Sequence, residues 1–187
     1  MVASVTLRVR PERAGEEAAI RETVRAAFAA TEEVDGTVEA DTVDALRREP
    51  EFDPSLSFVA ELDGRVIGHL VFTPCRVRSE EGETAALALA PLSVLRGYEH
   101  TFAGTRLMRH GLAACREAGH GIVIVLGHAK YYRRFGFRPA SQFGIEPPWA
   151  VHDDYFQALA LRPGALDGVH GVVEYLPPLD LRADQSS

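Results

Sequence analysis

Apolar positions along the chain follow two rhythms, and the switches between them mark the elements. Val5, Leu7 and Val9 alternate with polar neighbours as a half-buried strand does, after which Ile20, Val24, Ala27 and Phe28 share one helical face. The spacing predicts a short amphipathic helix over 38–48, stopped by Pro50. Two apolar runs, 56–61 and 66–72, flank Asp63-Gly64, a strong signal for a two-residue hairpin turn. Residues 84–95 are mostly apolar and follow a polar turn at 79–83, so they read as a long, largely buried strand running back along its predecessor. Leu107, Met108, Leu112 and Cys115 fall on one face of a helix over 104–118, closed by Gly119. The run GIVIVL at 121–126 is short and β-branched, which favours a strand buried on both faces, and a brief helix over 129–135 follows. Phe137, 156–161 and 172–175 supply later strands.

Hairpin strands first, then a strand-helix-strand crossover, predict an α/β (mixed α+β) fold. The expected core is a mostly antiparallel sheet with a central β-α-β unit and flanking helices. No repeat or long linker divides the chain, so one domain over 1–178 is expected, with a flexible tail over 179–187 after Pro177-Pro178.

Composition narrows the function classes. The 187 residues carry 46% hydrophobic content, enough for a substantial core, and a net charge of −7 that argues against nucleic acid or an anionic membrane as partner. A small-molecule substrate is expected. Cys75 and Cys115 lie far apart, outside any metal-ligand spacing, so no metal site is expected and both thiols read as reduced. No apolar stretch approaches the ~20 residues of a membrane span, and the N-terminus lacks a signal core. A soluble, cytoplasmic protein is the expectation.

Four segments, in order, carry a family resemblance: ALAPLSVL at 88–95, VLGHAKYYRRFGF at 125–137, RPASQFGI at 138–145 and ALALRPGALDGVHGVVEY at 158–175. Together they resemble the GNAT N-acyltransferases, in particular the YhbS-like bacterial subgroup, over nearly the whole chain. The resemblance implies an acyl-CoA, such as acetyl-CoA, as donor. It implies that backbone groups near Leu92, Ser93 and Val94 pair with the pantetheine arm as an added strand would. It implies that Tyr132 protonates the departing thiolate, a role suited to a phenol whose usual pKa of about 10 keeps it protonated at neutral pH. His128, just past the buried strand 121–126, is a candidate base for the acceptor ammonium; a structural hydrogen bond is the plainer role for a lone loop histidine. His69, Arg133, Arg134 and the cysteines read as structural or solvated.

The family also carries Arg/Gln-x-x-Gly-x-Gly/Ala at the turn into the central helix, where backbone N–H groups hold the pyrophosphate. The aligned residues here are Glu99, His100, Thr101, Phe102, Ala103 and Gly104. Gly104 survives, and with Thr105 it remains a candidate cofactor contact. Glu99 places a negative charge where the family has a cation or amide, and Phe102 replaces a glycine that admits the phosphate. Three functions follow. The first is an acyltransferase acting on an amine of a small molecule with weakened CoA binding, or with a donor carried on an acyl carrier protein, whose single phosphate needs no pyrophosphate cradle. The second is a fold recruited to CoA-independent chemistry, with Tyr98, Glu99, His100 and Phe102 joining His128 and Tyr132 around a less anionic substrate. The third is a non-catalytic binding module. A homodimer is compatible with exposed C-terminal strands.

Overall fold

The computed structural model describes residues 6–29 and 35–180. The fold is mixed α/β, with nine strands in one sheet and four helices among the described residues, and the strand order along its main path is β1-β2-β3-β4-β5-β8-β6, with β9 pairing β3 and β7. The described residues group into two compact units. One holds the chain up to Val71 together with Pro91–Gly111, and the other holds Phe72–Ala90 and the chain from Leu112 onward.

In the first unit β1 (Leu7–Pro11) runs antiparallel to β2 (Ser57–Leu62), which runs antiparallel to the first half of β3 (Arg65–Ser79). Asp63 and Gly64 join the last two with φ of 50° and 80°, the double left-handed turn that matches strand twist and that Asp-Gly tolerates. Helix α1 (Glu17–Ala29) buries Ile20, Val24 and Ala27, one turn apart, and α2 (Thr37–Leu46) buries Ala40, Val43 and Leu46. Ile20, Val24, Ala40 and Val43 meet Val59 of β2 in one cluster, each large side chain contributing about 1.5–3 kcal/mol of burial. The helix expected over 38–48 thus ends at Leu46: Arg47 makes the last helical bond, to Val43 O, and from Arg48 on the amides bond three residues back, to Ala45 O and Leu46 O. Val5, expected in the first strand, lies outside the described residues.

This unit also buries a polar network. Glu12 accepts from Ser57 Oγ at 2.5 Å and from Arg47 at 2.9 Å, and His69 Nε2 lies 2.9 Å from Ser57 Oγ. His69 and Ser57 are wholly buried. Burial pushes the His69 imidazole down, so it is neutral and its Nε2–H donates to Ser57, which donates to Glu12. Burial alone would raise the Glu12 carboxyl, but hydrogen bonds from His69, Arg47 and Ser57 outweigh it and hold it at about 2. The network holds the strand histidine through Nε2 as a structural group, the role its sequence position suggests, while its Nδ1 finds no partner among the described residues.

In the second unit β5 (Ile122–Leu126) has four consecutive buried residues, as a strand covered on both faces requires. It runs parallel to β4 (Gly82–Val94) over Leu87–Leu89 and antiparallel to β8 (Phe156–Ala160) along its whole length. β6 (Arg138–Pro139) pairs antiparallel with β8, and Phe137 is a buried anchor just before it instead of a strand residue. A two-residue strand, β7 (Ile145–Glu146), runs parallel to β9 (Gly171–Glu174), and β9 pairs the second half of β3. β7 is too short to carry any period. Cys75 is buried here, and burial pushes its thiol up; Cys115 on α3 (Ala103–Glu117) is wholly buried and pushed up to about 12 by the same cause. Trp149 stacks on Tyr175 at 5.4 Å, a packing anchor. Of the expected tail, Pro177–Leu179 forms a 3-10 turn and 181–187 lie outside the described residues.

Candidate active site

The site residues expected from the sequence fall into two groups. Leu92, Ser93, Val94, Tyr98, Glu99, His100, Phe102, Gly104 and Thr105 belong to the first unit, and His128 and Tyr132 to the second.

At the end of β4 the backbone directions separate the three strand residues. The Leu95 N–H donates to Ile67 O of β3 at 2.8 Å, and Ser93 O lies so close to Gly68 that a β-carbon there would sit 2.9 Å from it. Backbone groups at 93 and 95 therefore face β3. By the two-residue period of a strand, those of Leu92 and Val94 face the other way. Ser93 is buried, and its hydroxyl donates to His69 O at 3.5 Å.

The turn into α3 keeps a glycine-like backbone with other side chains on it. Phe102 has φ 60° and ψ 20°, left-handed values that a glycine adopts without strain, and its ring is 70% exposed. A 3-10 turn at Glu99–Thr101 leads into it, closed by Thr101 N and Oγ1 donating to Tyr98 O. The Arg106 N–H bonds Phe102 O, so the first amides of α3, including Gly104 and Thr105, have no carbonyl one turn back within the helix. Glu99 folds back on its own turn. Its carboxylate accepts from the Gly97 N–H at 2.8 Å, and the Glu99 and Gly97 amides hold it below the usual carboxylate range. Tyr98 is engaged by Arg65, which donates to its hydroxyl at 3.4 Å and lies 5.8 Å from its ring centre. Glu99 and His100 are exposed, so these residues present a surface turn.

In the second unit β5 delivers the chain through Gly127 to His128, which caps α4 (Ala129–Tyr132), with a 3-10 turn at Arg133–Phe135 completing the segment. His128 O accepts from the Tyr131 and Tyr132 amides, fixing the histidine and the tyrosine on one short helix. The His128 ring meets Tyr155 edge-on at 5.8 Å, and His152 meets Tyr155 the same way at 5.9 Å. His128, Ala129, Lys130, His152, Asp154 and Tyr155 line an open cleft of about 300 Å³. Arg133 pairs with Asp154 and is less free than a solvated helix face implies.

The Tyr132 ring is set against Phe137 at 5.7 Å and Tyr131 at 5.1 Å, both edge-on, and burial pushes its phenol well above the ordinary value. Such a group stays protonated at every physiological pH. Beneath it lies Gln157 of β8, wholly buried, whose Nε2 donates to Gly127 O at 3.3 Å. Sequence reasoning passed over Gly127, Gln157, His152 and Tyr155. The one available signal was a glutamine inside the apolar run FQALAL. Among the described residues no cluster of His, Cys, Asp or Glu side chains is placed to hold a metal ion. No helix among them is long and apolar enough to cross a membrane.

Comparison with known proteins gives a consistent result. A family model described as an acetyltransferase (GNAT) domain matches residues 8–140. The chain is 35% identical over 136 residues to the uncharacterized N-acetyltransferase YjhQ of Escherichia coli K12, covering 70% of this chain and 75% of that protein. Against the crystal structure of the GNAT family N-acetyltransferase YhbS from Escherichia coli in complex with CoA, the TM-score is 0.76 at 30% identity, covering 93% of this chain and 91% of the other. Against that of a GNAT family acetyltransferase from Brucella melitensis in complex with acetyl-CoA, it is 0.74 at 36% identity, covering 94% and 99%.

Proposed function

The chain belongs to the GNAT acetyltransferase family, and from that membership we propose that it transfers an acyl group from a pantetheine thioester, acetyl-CoA in the first instance, to an amine of a small molecule. The observation that carries this reading is Tyr132, a phenol packed edge-on against Phe137 and Tyr131 at the position where the family resemblance places the thiolate's proton donor. Two relatives at 30% and 36% identity were crystallised with CoA and acetyl-CoA, which supports the same donor here over the CoA-independent and non-catalytic alternatives.

In the proposed reaction the outward backbone groups of Leu92 and Val94 pair with the pantetheine amides, as an added strand would. The acceptor ammonium loses a proton to His128, and the free amine attacks the thioester carbonyl. The tetrahedral adduct then collapses, breaking the carbon–sulfur bond, and the departing thiolate takes the Tyr132 proton. As the amide forms, its nitrogen gives up a second proton that returns to the Tyr132 phenolate, and His128 releases the first to solvent, so the products are an amide, free CoA and one proton.

We further propose that the donor is held less tightly than the fold normally allows. The Glu99 carboxylate already occupies turn amides, repels a pyrophosphate, and sits beside an exposed Phe102 in place of glycine. An acyl carrier protein, whose pantetheine bears a single phosphate, is the alternative donor that this turn would tolerate. The test is acetyl-CoA binding by calorimetry, followed by turnover of wild type and Tyr132→Phe. Binding with a kcat loss of ~10²-fold or more in the variant, at little-changed KM, is expected. No binding at millimolar acetyl-CoA would sink the CoA version, and an unchanged kcat would remove Tyr132 from the chemistry.

A further inference from the structure

We propose that Gly127 is a positioning residue for the Tyr132 phenol and that Gln157 holds Gly127 in place, an inference that rests on the reading of Tyr132 as proton donor. The Tyr132 ring lies over the Gly127 α-carbon. A β-carbon built there would be 2.5 Å from Cε2 and 3.4 Å from Cδ2 and Cζ, closer than the ring can accept without moving. Gly127 does not adopt a positive φ, so its backbone would accept alanine. Glycine is needed at 127 for the ring's sake.

That floor is itself fixed from both sides. The Gly127 N–H donates to Tyr155 O at 2.9 Å, and Gly127 O accepts from Gln157 Nε2. Gln157 sits opposite Val125 in the β5–β8 ladder, fully enclosed, and its Oε1 finds no partner among the described residues. A buried acceptor left unpaired costs stability, and an apolar side chain of similar shape would avoid that cost. Retaining the amide makes sense if its work is to fix the Gly127 carbonyl. With Phe137 and Tyr131 packed edge-on against the ring, the phenol oxygen has one place to be. A shift of about an ångström at a reacting atom costs on the order of 10²-fold in rate.

The test compares wild type, Gly127→Ala, Tyr132→Phe and the double variant, following thiol release from acetyl-CoA with a panel of primary amines. Gly127→Ala is expected to lower kcat by ~10²-fold while leaving KM for acetyl-CoA within a few-fold, and to cost nothing further in the Tyr132→Phe background. A second readout is fluorine NMR of 3-fluorotyrosine-labelled protein. The Tyr132 resonance, identified by its loss in Tyr132→Phe, should shift and titrate at lower pH in Gly127→Ala as the displaced phenol meets water. If Gly127→Ala does not fold, Gln157→Leu carries the same comparison, with a smaller kcat loss that also vanishes in the Tyr132→Phe background. An equal kcat loss with and without the Tyr132 hydroxyl, or an unmoved resonance, overturns the inference and leaves the Tyr132 reading standing. An unaltered kcat in Tyr132→Phe overturns that reading and this inference with it.

Discussion

Phe102 concentrates what single residues decide in this protein. Its left-handed backbone costs a bulky residue of order 1 kcal/mol or more, and its exposed ring recovers little of that by packing. Phe102→Gly should therefore leave stability within about 1 kcal/mol of wild type, the relief of strain being offset by the freer unfolded chain. Removing a well-packed phenylalanine would instead cost about 3–5 kcal/mol, and a thermal melt separates the two. The phenylalanine at 102 was legible in the sequence as a bulky side chain in the turn before α3. That the backbone kept the glycine shape beneath the substitution was not, since φ is set by the closing of the turn through Tyr98 and Thr101. Tyr132 was legible as a candidate from its surrounding motif, whereas its partners Gly127 and Gln157 were not, because their relation is a contact in space between the strand end at 127 and a strand thirty residues later.

At the scale of elements, the polar network ties the end of β1, the turn after α2, and strands β2 and β3 through Glu12, Arg47, Ser57 and His69. Because the Glu12 carboxyl is held at about 2, against 4.5 ordinarily, its contribution to stability is complete above pH 4.5 and is lost as pH falls toward 2. Glu12→Gln should remove that acid-dependent component and lower stability at pH 7 by about 2 kcal/mol. This is less than for an isolated buried pair, because Arg47 keeps its bond to Asp44. Urea titrations at pH 7 and pH 3 measure both; parallel losses in wild type and variant between the two pH values would exclude Glu12 as their source. Most elements were readable from period alone. β7 and β6, two residues each, had no period to read, and the α2 boundary was decided by turns at Arg48 and Glu49 that propensity does not encode.

For the whole molecule, donor binding and folding stability are linked. A ligand at 100 times its dissociation constant adds about 2.7 kcal/mol, which for a chain of this size raises Tm by roughly 5–10 °C. Glu99→Gln, His100→Gly and Phe102→Gly together should enlarge the acetyl-CoA-induced shift in Tm, by removing one negative charge and two side chains from the turn. An unchanged shift would mean that the turn does not meet the nucleotide end of the donor. The amino-acid order by itself determined the mixed α/β fold, the hairpin at Asp63-Gly64, the buried strand β5 and the family, because each is written in local spacing or local identity. Tertiary structure alone decided that the turn keeps its backbone shape and that Glu99 folds onto its own amides. It alone set Leu92 and Val94 outward while Ser93 faces β3, and seated Tyr132 on a bare glycine. Those features depend on which groups the folded chain brings within a few ångströms, and hydrogen bonds and steric contacts act only over that distance.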